Sequence, residues 1–208
     1  GNGAAMRAPI IGAWVQDLDQ IGRFVEASTL LTHRDPRALA GAVAVAIAAH
    51  HAVHAAPVAP ARVLRDIRRH VADPELLTAV DQVEAALDGD HTPARLAGTL
   101  GLADGVTGYM LHTVPVCLHA WLRSPTDFRR VVGDVIALGG DADPTGAIAG
   151  ALAGATVGAS GIPPAADRSH TSPAGAPPHE ISLPVRSIGS AWLPPGRRVA
   201  PAQAGAAD

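Results

Sequence analysis

Three short stretches carry residue types whose spacing could do chemistry. Gly139-Gly140-Asp141-Ala142-Asp143-Pro144-Thr145-Gly146 places two carboxylates two positions apart behind paired glycines. Hard oxygen donors in that pattern suit Mg²⁺ or Mn²⁺. The same residues also read as a helix start, with Asp143 capping before Pro144 and Asp141 complementing the dipole. The spacing leaves both readings open. Gly1-Asn2-Gly3-Ala4-Ala5-Met6-Arg7 opens on a Gly-Asn-Gly step. Such a step is a plain turn, or one whose backbone N–H groups reach an anion such as a diphosphate. In Leu31-Thr32-His33-Arg34-Asp35-Pro36-Arg37, Asp35-Pro36 explains itself as a helix start. His33, just ahead of it, faces either a ligand or a backbone carbonyl.

The order Asp141, Asp143, Thr145 also fits the aspartate-nucleophile motif of the haloacid-dehalogenase-like phosphatases. That motif needs a buried strand directly before the first Asp and a downstream basic residue, usually Lys. Here a helical stretch and two glycines precede Asp141, and all 16 basic residues are Arg. This chemistry is therefore excluded. Cys117 lies in an apolar helical stretch and reads as core, not nucleophile. His50, His51 and His54 fit a helix end better than a metal site. Arg62, Arg65, Arg68 and Arg69 form a solvated face or meet an acidic partner. His112 and His119 flank Pro115, and spacing does not decide whether either meets a ligand.

The elements that must position these residues are helices. Ile21, Phe24, Val25, Ser28 and Leu31 fall on one face. Pro36, Pro74 and Pro93 each stand where a helix opens, and Asp35 caps the first of these. Leu77, Val80, Val83 and Leu87 point inward after Pro74. Leu64, Ile67 and Val71 form an apolar stripe. Ala38–Val53 is apolar almost all round and so belongs at the centre. Gly108–Leu122 carries Pro115 inside, which predicts a kink. Ser124-Pro125 is expected to start a helix running to Leu138, and Asp143-Pro144 one over Thr145–Val157. Gly146, Gly150, Gly154 and Gly158 recur every fourth residue, which predicts tight packing against a neighbour. No strand alternation or hairpin turn intervenes, so the fold class is all-α.

Composition sets the limits. The chain has 208 residues, 48% hydrophobic but only 3% aromatic, with a net charge of −3. That charge, with no arginine stripe interleaved with aromatics, argues against nucleic-acid binding. One cysteine rules out an internal disulfide and a cysteine zinc site. The apolar runs fall short of the roughly 20 residues that span a bilayer, and no signal peptide is evident, so no membrane role is expected and the cytoplasm is the expected location. Composition shifts near Ile162. Residues 163–208 hold 9 of the 18 prolines, and half of this tail is Pro, Gly or Ala. Such a segment is expected to be disordered, with Glu180–Ile188 extended at most and Trp192 available to pack. The chain begins at Gly1 and not at Met, which reads as part of a longer protein.

In this order, the stretches resemble the ADP-ribosylglycohydrolase family, which includes the dinitrogenase-reductase-activating glycohydrolases. The family pattern of a GNG-x-x-MR stretch, an LTH-x-DPR stretch, a GY-x-x-x-T-x-P helix and GGD-x-DT-x-GAIAGALAGA is met at Gly1–Arg7, Leu31–Arg37, Gly108–Pro115 and Gly139–Ala155. The match covers residues 1–162 and implies a compact all-α domain. It implies metal-assisted hydrolysis of the glycosidic bond between ADP-ribose and an acceptor, on an ADP-ribosylated protein or a small-molecule conjugate. It also implies a pair of Mg²⁺ or Mn²⁺ ions, with Asp141 and Asp143 as metal ligands. Asn2, Gly3, Ala4, Ala5 and Met6 would line the groove for the ADP part, with His33 beside it.

Three departures qualify this. The family's second Asp is followed by a Thr whose hydroxyl joins the metal shell, and here Pro144 stands there. Thr145 lies about 100° further round a helix. The Gly-Asp-x-x-Gly start, the acidic catalytic residue and the Thr-Asp-Asp metal ligands are not in these 208 residues. The chain is therefore expected to correspond to the C-terminal half of the family domain, and to be inactive or nearly so alone. A separate chain could supply the remainder. Otherwise the polypeptide is a non-enzymatic remnant or an ADP-ribose-binding module. Residues 163–208 do not look like the family, as a frameshift or gene decay would leave them.

Overall fold

A computed structural model of the protein describes residues 1–164. The expectations for the tail from residue 165 onward lie outside the described residues. Among the described residues nine α-helices follow one another: α1 Gly3–Trp14, α2 Ile21–Leu30, α3 Pro36–His54, α4 Pro60–His70, α5 Pro74–Asp88, α6 Pro93–Thr99, α7 Met110–Arg123, α8 Phe128–Ile136 and α9 Ala142–Gly161. A 3₁₀ turn, Leu18–Gln20, precedes α2. Among the described residues the single β-type contact is a parallel bridge between Val106 and Gly140. The fold is all-α.

Local chemistry explains most of the helix starts. The carboxylate of Asp35 accepts from the Arg37 amide at 2.9 Å, and Pro36 follows it. Asp73 does the same for Leu76 at 2.8 Å ahead of Pro74, and Thr92 for Arg95 at 3.3 Å ahead of Pro93. Proline costs nothing there, because the first amides of a helix have no internal acceptor.

Several expectations are corrected. Ser124-Pro125 does not open α8. Ser124 ends α7, and Asp127 caps α8 by accepting from the Arg130 amide at 3.0 Å. The last helix starts at Ala142 with Asp141 at its cap position, so Asp143 is inside the first turn and caps nothing. Pro144 lies in that same turn, where its missing N–H is tolerated. Gly1–Arg7 is not a free turn but the beginning of α1, with Asn2 at its cap position. On α2 the buried face is Ile21, Val25 and Thr29, while Leu31 is 82% exposed beyond the helix end. On α5, Leu76 and not Leu77 is fully inward.

The centre is α3, as its all-round apolar sequence requires. Ala42 and Ala44–Ala49 have no exposed surface, and α1, α2, α4, α7 and α9 pack around them. By length and hydropathy alone α3 would cross a membrane, yet 67% of the qualifying window is buried inside the domain. Helices α1 and α3 approach most closely at Gly12, where a Cβ would collide with the Ala46 carbonyl. Gly41 makes equivalent room for the Met110 side chain. The glycine stripe of α9 is different. Cβ atoms at Gly146 and Gly150 would sit at ordinary contact distances of 3.8 Å from Ile136 and 3.6 Å from Val132 on α8. The tightest seam therefore uses isolated glycines, not the regular repeat.

Contacts along the helices give their directions. The Gly3 end of α1 lies at the His33–Pro36 end of α3, and the Ala13–Val15 end meets His50 and His54. Gly41 of α3 meets Met110 and Val114 of α7. On α7, the Cys117 thiol donates to the Thr145 carbonyl of α9, and the Trp121 indole to Thr156 Oγ1. Helices α1, α3, α7 and α9 thus run in one direction, and their N-termini gather at one rim.

Candidate functional site

The rim brings together the three stretches that the sequence sets apart. The Asn2 amide donates to the Gly108 carbonyl at 3.0 Å, and Asn2 Nδ2 donates to Thr113 Oγ1 at 3.1 Å. Thr113 Oγ1 in turn lies 3.0 Å from the Thr107 carbonyl and 3.2 Å from that of Tyr109. Asn2 is 7% exposed. Its side chain therefore pins the start of α1 to the start of α7. A Cβ on Gly108 would fall 2.7 Å from Asp141 Oδ2, so the end of that carboxylate side chain lies directly against Gly108. A Cβ on Gly3 would meet His33 Cε1 at 3.1 Å. Asp141, Gly108, Asn2, Gly3 and His33 thus form one run of contacts.

The backbone ahead of Asp141 is shaped for this. Gly139 and Gly140 have φ of 71° and 78°, where side chains are strained. The Gly139 carbonyl accepts from the Val106 amide at 3.1 Å, and the Asp141 amide donates to the Val106 carbonyl at 2.6 Å. A Cβ on Gly140 would run into Val106 backbone atoms. The paired glycines are the means of holding Asp141 at the rim.

The carboxylates of Asp141 and Asp143 are exposed, and neither has a hydrogen-bond or ion-pair partner among the described residues. Both lie at the start of α9, where the dipole favours negative charge. The donor type fits a hard divalent cation. Among the described residues no group of three His, Cys, Asp or Glu side chains could hold a metal. Thr145 does not supply the oxygen that Pro144 lacks. Its side chain is buried, and Oγ1 is 2.6 Å from the Asp141 carbonyl oxygen.

At α1 the first internal bond runs from the Met6 amide to the Asn2 carbonyl at 3.1 Å. The amides of Gly3, Ala4 and Ala5 therefore have no acceptor within the helix. Ala4 and Ala5 are buried as whole residues, backbone included, and of the three only Gly3 is partly exposed. Met6 is 40% exposed. His33 is half-buried, with Nδ1 2.8 Å from Thr32 Oγ1. Arg7 donates to the Gly3 carbonyl at 2.9 Å, the Ser28 carbonyl at 3.1 Å and Thr32 Oγ1 at 2.8 Å. The roles of Arg7, Thr113 and Gly108 escape a sequence reading because their partners are remote in the chain. Tyr109 and His112 flank the rim edge to face, 5.2 Å apart.

The other candidates are structural. Cys117 is fully buried, which pushes its thiol well above its usual range. His50 and His54 face the carbonyls of Val15 and Ala13 at 3.0 and 3.1 Å, tying α3 to the end of α1. His51 Nε2 donates to Asp66 Oδ2 at 3.0 Å, and burial lowers its pKa against the pull of that carboxylate. Of the α4 arginines, Arg68 pairs with Asp81 and Glu84, Arg65 with Asp66, and Arg69 with Asp19.

A bundle of same-direction helices, with free carboxylates and unspent helix amides at one rim, defines an all-α domain with a polar site at its helix starts. The sequence model of the ADP-ribosylglycohydrolase family matches residues 1–171, and the chain belongs to that family of hydrolases. A comparison with curated proteins finds no match.

Proposed function

We propose that the rim binds the ADP-ribose part of an ADP-ribosylated protein or small molecule, for hydrolysis of its glycosidic bond. The supporting observation is the contact run from Asp141 through Gly108, Asn2 and Gly3 to His33. The start of α1, where Gly3 is partly exposed and its amide has no helical acceptor, would orient the diphosphate, as helix N-termini do. Asn2 fixes its position through Thr113, and His33 closes the side away from Asp141. Asp141 and Asp143 would hold Mg²⁺ or Mn²⁺. Such an ion, when bound, polarises the sugar oxygens and lowers the pKa of a water.

Two carboxylates make an incomplete shell for such ions. Turnover then requires further oxygen ligands and a catalytic carboxylate, from elsewhere in the protein or from a separate chain. Pro144 and the occupied Thr145 hydroxyl favour a second reading, in which the rim binds ADP-ribose without cleaving it. Calorimetry with ADP-ribose, with and without Mg²⁺, separates the two. Mg²⁺-dependent binding that weakens at least about tenfold in Asp141→Asn supports the hydrolase reading. Binding indifferent to Mg²⁺ supports the binding module. No binding under either condition removes both.

A further inference from the structure

A cleft apart from the rim contains neither Asp141 nor Asp143. It encloses about 560 Å³ between α2, α3 and the α4–α5 connection. Its floor is apolar, with Leu39, Ala40, Val43 and Val71, and its acidic lining residues are Glu26 and Asp73. A smaller hollow of about 200 Å³ adjoins it, sharing Glu26, Pro36 and Leu39, and reaches His33. His33 is the residue beside Gly3, so the groove opens onto the rim.

Its charge is one-sided. Glu26 has no ion-pair partner among the described residues. Asp73 spends one oxygen on the Leu76 amide and keeps the other free. The ring nitrogens of His70 face the Asp66 carbonyl and the Asp19 carboxylate, so His70 does not neutralise the lining carboxylates. No arginine lines the larger cleft, and Arg34 lines only the smaller one. An apolar floor under free carboxylates matches a side chain with an aliphatic stem and a cationic head.

We infer that this groove holds a basic, extended segment of the acceptor polypeptide, outside the modified residue itself. The inference rests on the rim being where the ADP-ribose end sits. Stems of arginine or lysine lie on Leu39, Val43 and Val71, and their heads meet Glu26 and Asp73. The acceptor would then be chosen partly by sequence flanking the linkage.

Fluorescence anisotropy with short unmodified peptides tests this. The probes are a labelled arginine-glycine peptide and its glutamate-glycine counterpart, against the full chain at low salt. The arginine peptide is expected to bind and the glutamate peptide not. Glu26→Lys should weaken binding by about tenfold, since it reverses a groove charge. Val43→Trp should weaken it by filling the floor, and calorimetric ADP-ribose binding should stay within about twofold in both variants. Equal binding of the two peptides, no binding of either, or a Glu26→Lys variant that binds like the parent overturns the groove. Peptide binding without ADP-ribose binding leaves the groove and removes the glycohydrolase reading. ADP-ribose binding without peptide binding does the reverse.

Discussion

The two ends of the same helices are built on opposite rules. At the rim, Asp141 and Asp143 are unpartnered among the described residues, and the amides of Gly3, Ala4 and Ala5 lack helical acceptors. At the far end, the terminal carbonyls of α1 are met by His50 and His54, His51 is bonded to Asp66, and Trp121 to Thr156. Unsatisfied polar groups are costly only where water cannot reach them. At the rim the two carboxylates are exposed, although Asn2, Ala4 and Ala5 beside them are buried; the far end is closed in the sense that most of its polar groups are paired.

The strongest way to break this contrast is to force α1 from α3 near the closed end. A Cβ at Gly12 meets the Ala46 backbone, which cannot rotate aside. Gly12→Ala is expected to cost about 3 kcal/mol in urea unfolding, the upper part of the range for overpacking. A cost below that of an ordinary surface change would show that the seam is loose. Asp66→Ala comes next. It leaves buried His51 Nε2 without its acceptor and frees Arg65. The expected loss is about 2 kcal/mol, the penalty of a stranded buried donor.

These two positions also show what the sequence could and could not tell. Helix starts were legible because caps and N-terminal prolines act locally, as at Asp35-Pro36 and Thr92-Pro93. The central place of α3 was legible because its apolarity has no gap. The repeat at Gly146, Gly150 and Gly154 does pack against a neighbour, α8, at ordinary contact distances, but spacing on one helix does not say which neighbour lies opposite or how near it comes. Gly12, a lone glycine, carries the closest approach. At the site, the motif order marked Asn2, His33 and Asp141 as candidates. Only the fold shows that Asn2 is spent on Thr113, and that Gly108 lies against the Asp141 carboxylate.

The closed end also keeps buried polar atoms without partners among the described residues, on His119 and at Arg123 Nε. His119 has no exposed surface, and neither ring nitrogen has a partner among the described residues. Burial, with Arg123 and His91 nearby, pulls its pKa down to about 4. The folded state therefore resists protonation while the unfolded chain takes up a proton near pH 6.5. Stability is full above about pH 6.5 and falls as pH drops toward about 4. His119→Leu removes the unsatisfied nitrogens and should gain about 1 kcal/mol near neutrality. It should also flatten the acid slope relative to the parent. His50 shares the sense of the shift through its own burial, so the difference between variant and parent isolates His119. An unchanged slope would mean that His119 finds a partner in solution.

The smallest expected effect belongs to the rim. Asp143 is exposed and makes no hydrogen bond or ion pair among the described residues, so its carboxylate contributes to folding only through the α9 dipole. That contribution is worth a few tenths of a kcal/mol, roughly 0.5 at most, at an exposed helix start. Relief of repulsion from Asp141 opposes even this. Asp143→Ala should leave the unfolding midpoint almost where it was, while Mg²⁺ or Mn²⁺ binding measured by calorimetry is lost. A large destabilisation would place Asp143 in the closed network after all. An unchanged metal affinity would place the ion, if one binds, on other oxygens. Loss of binding at nearly constant stability is the outcome that sets the rim apart as a site.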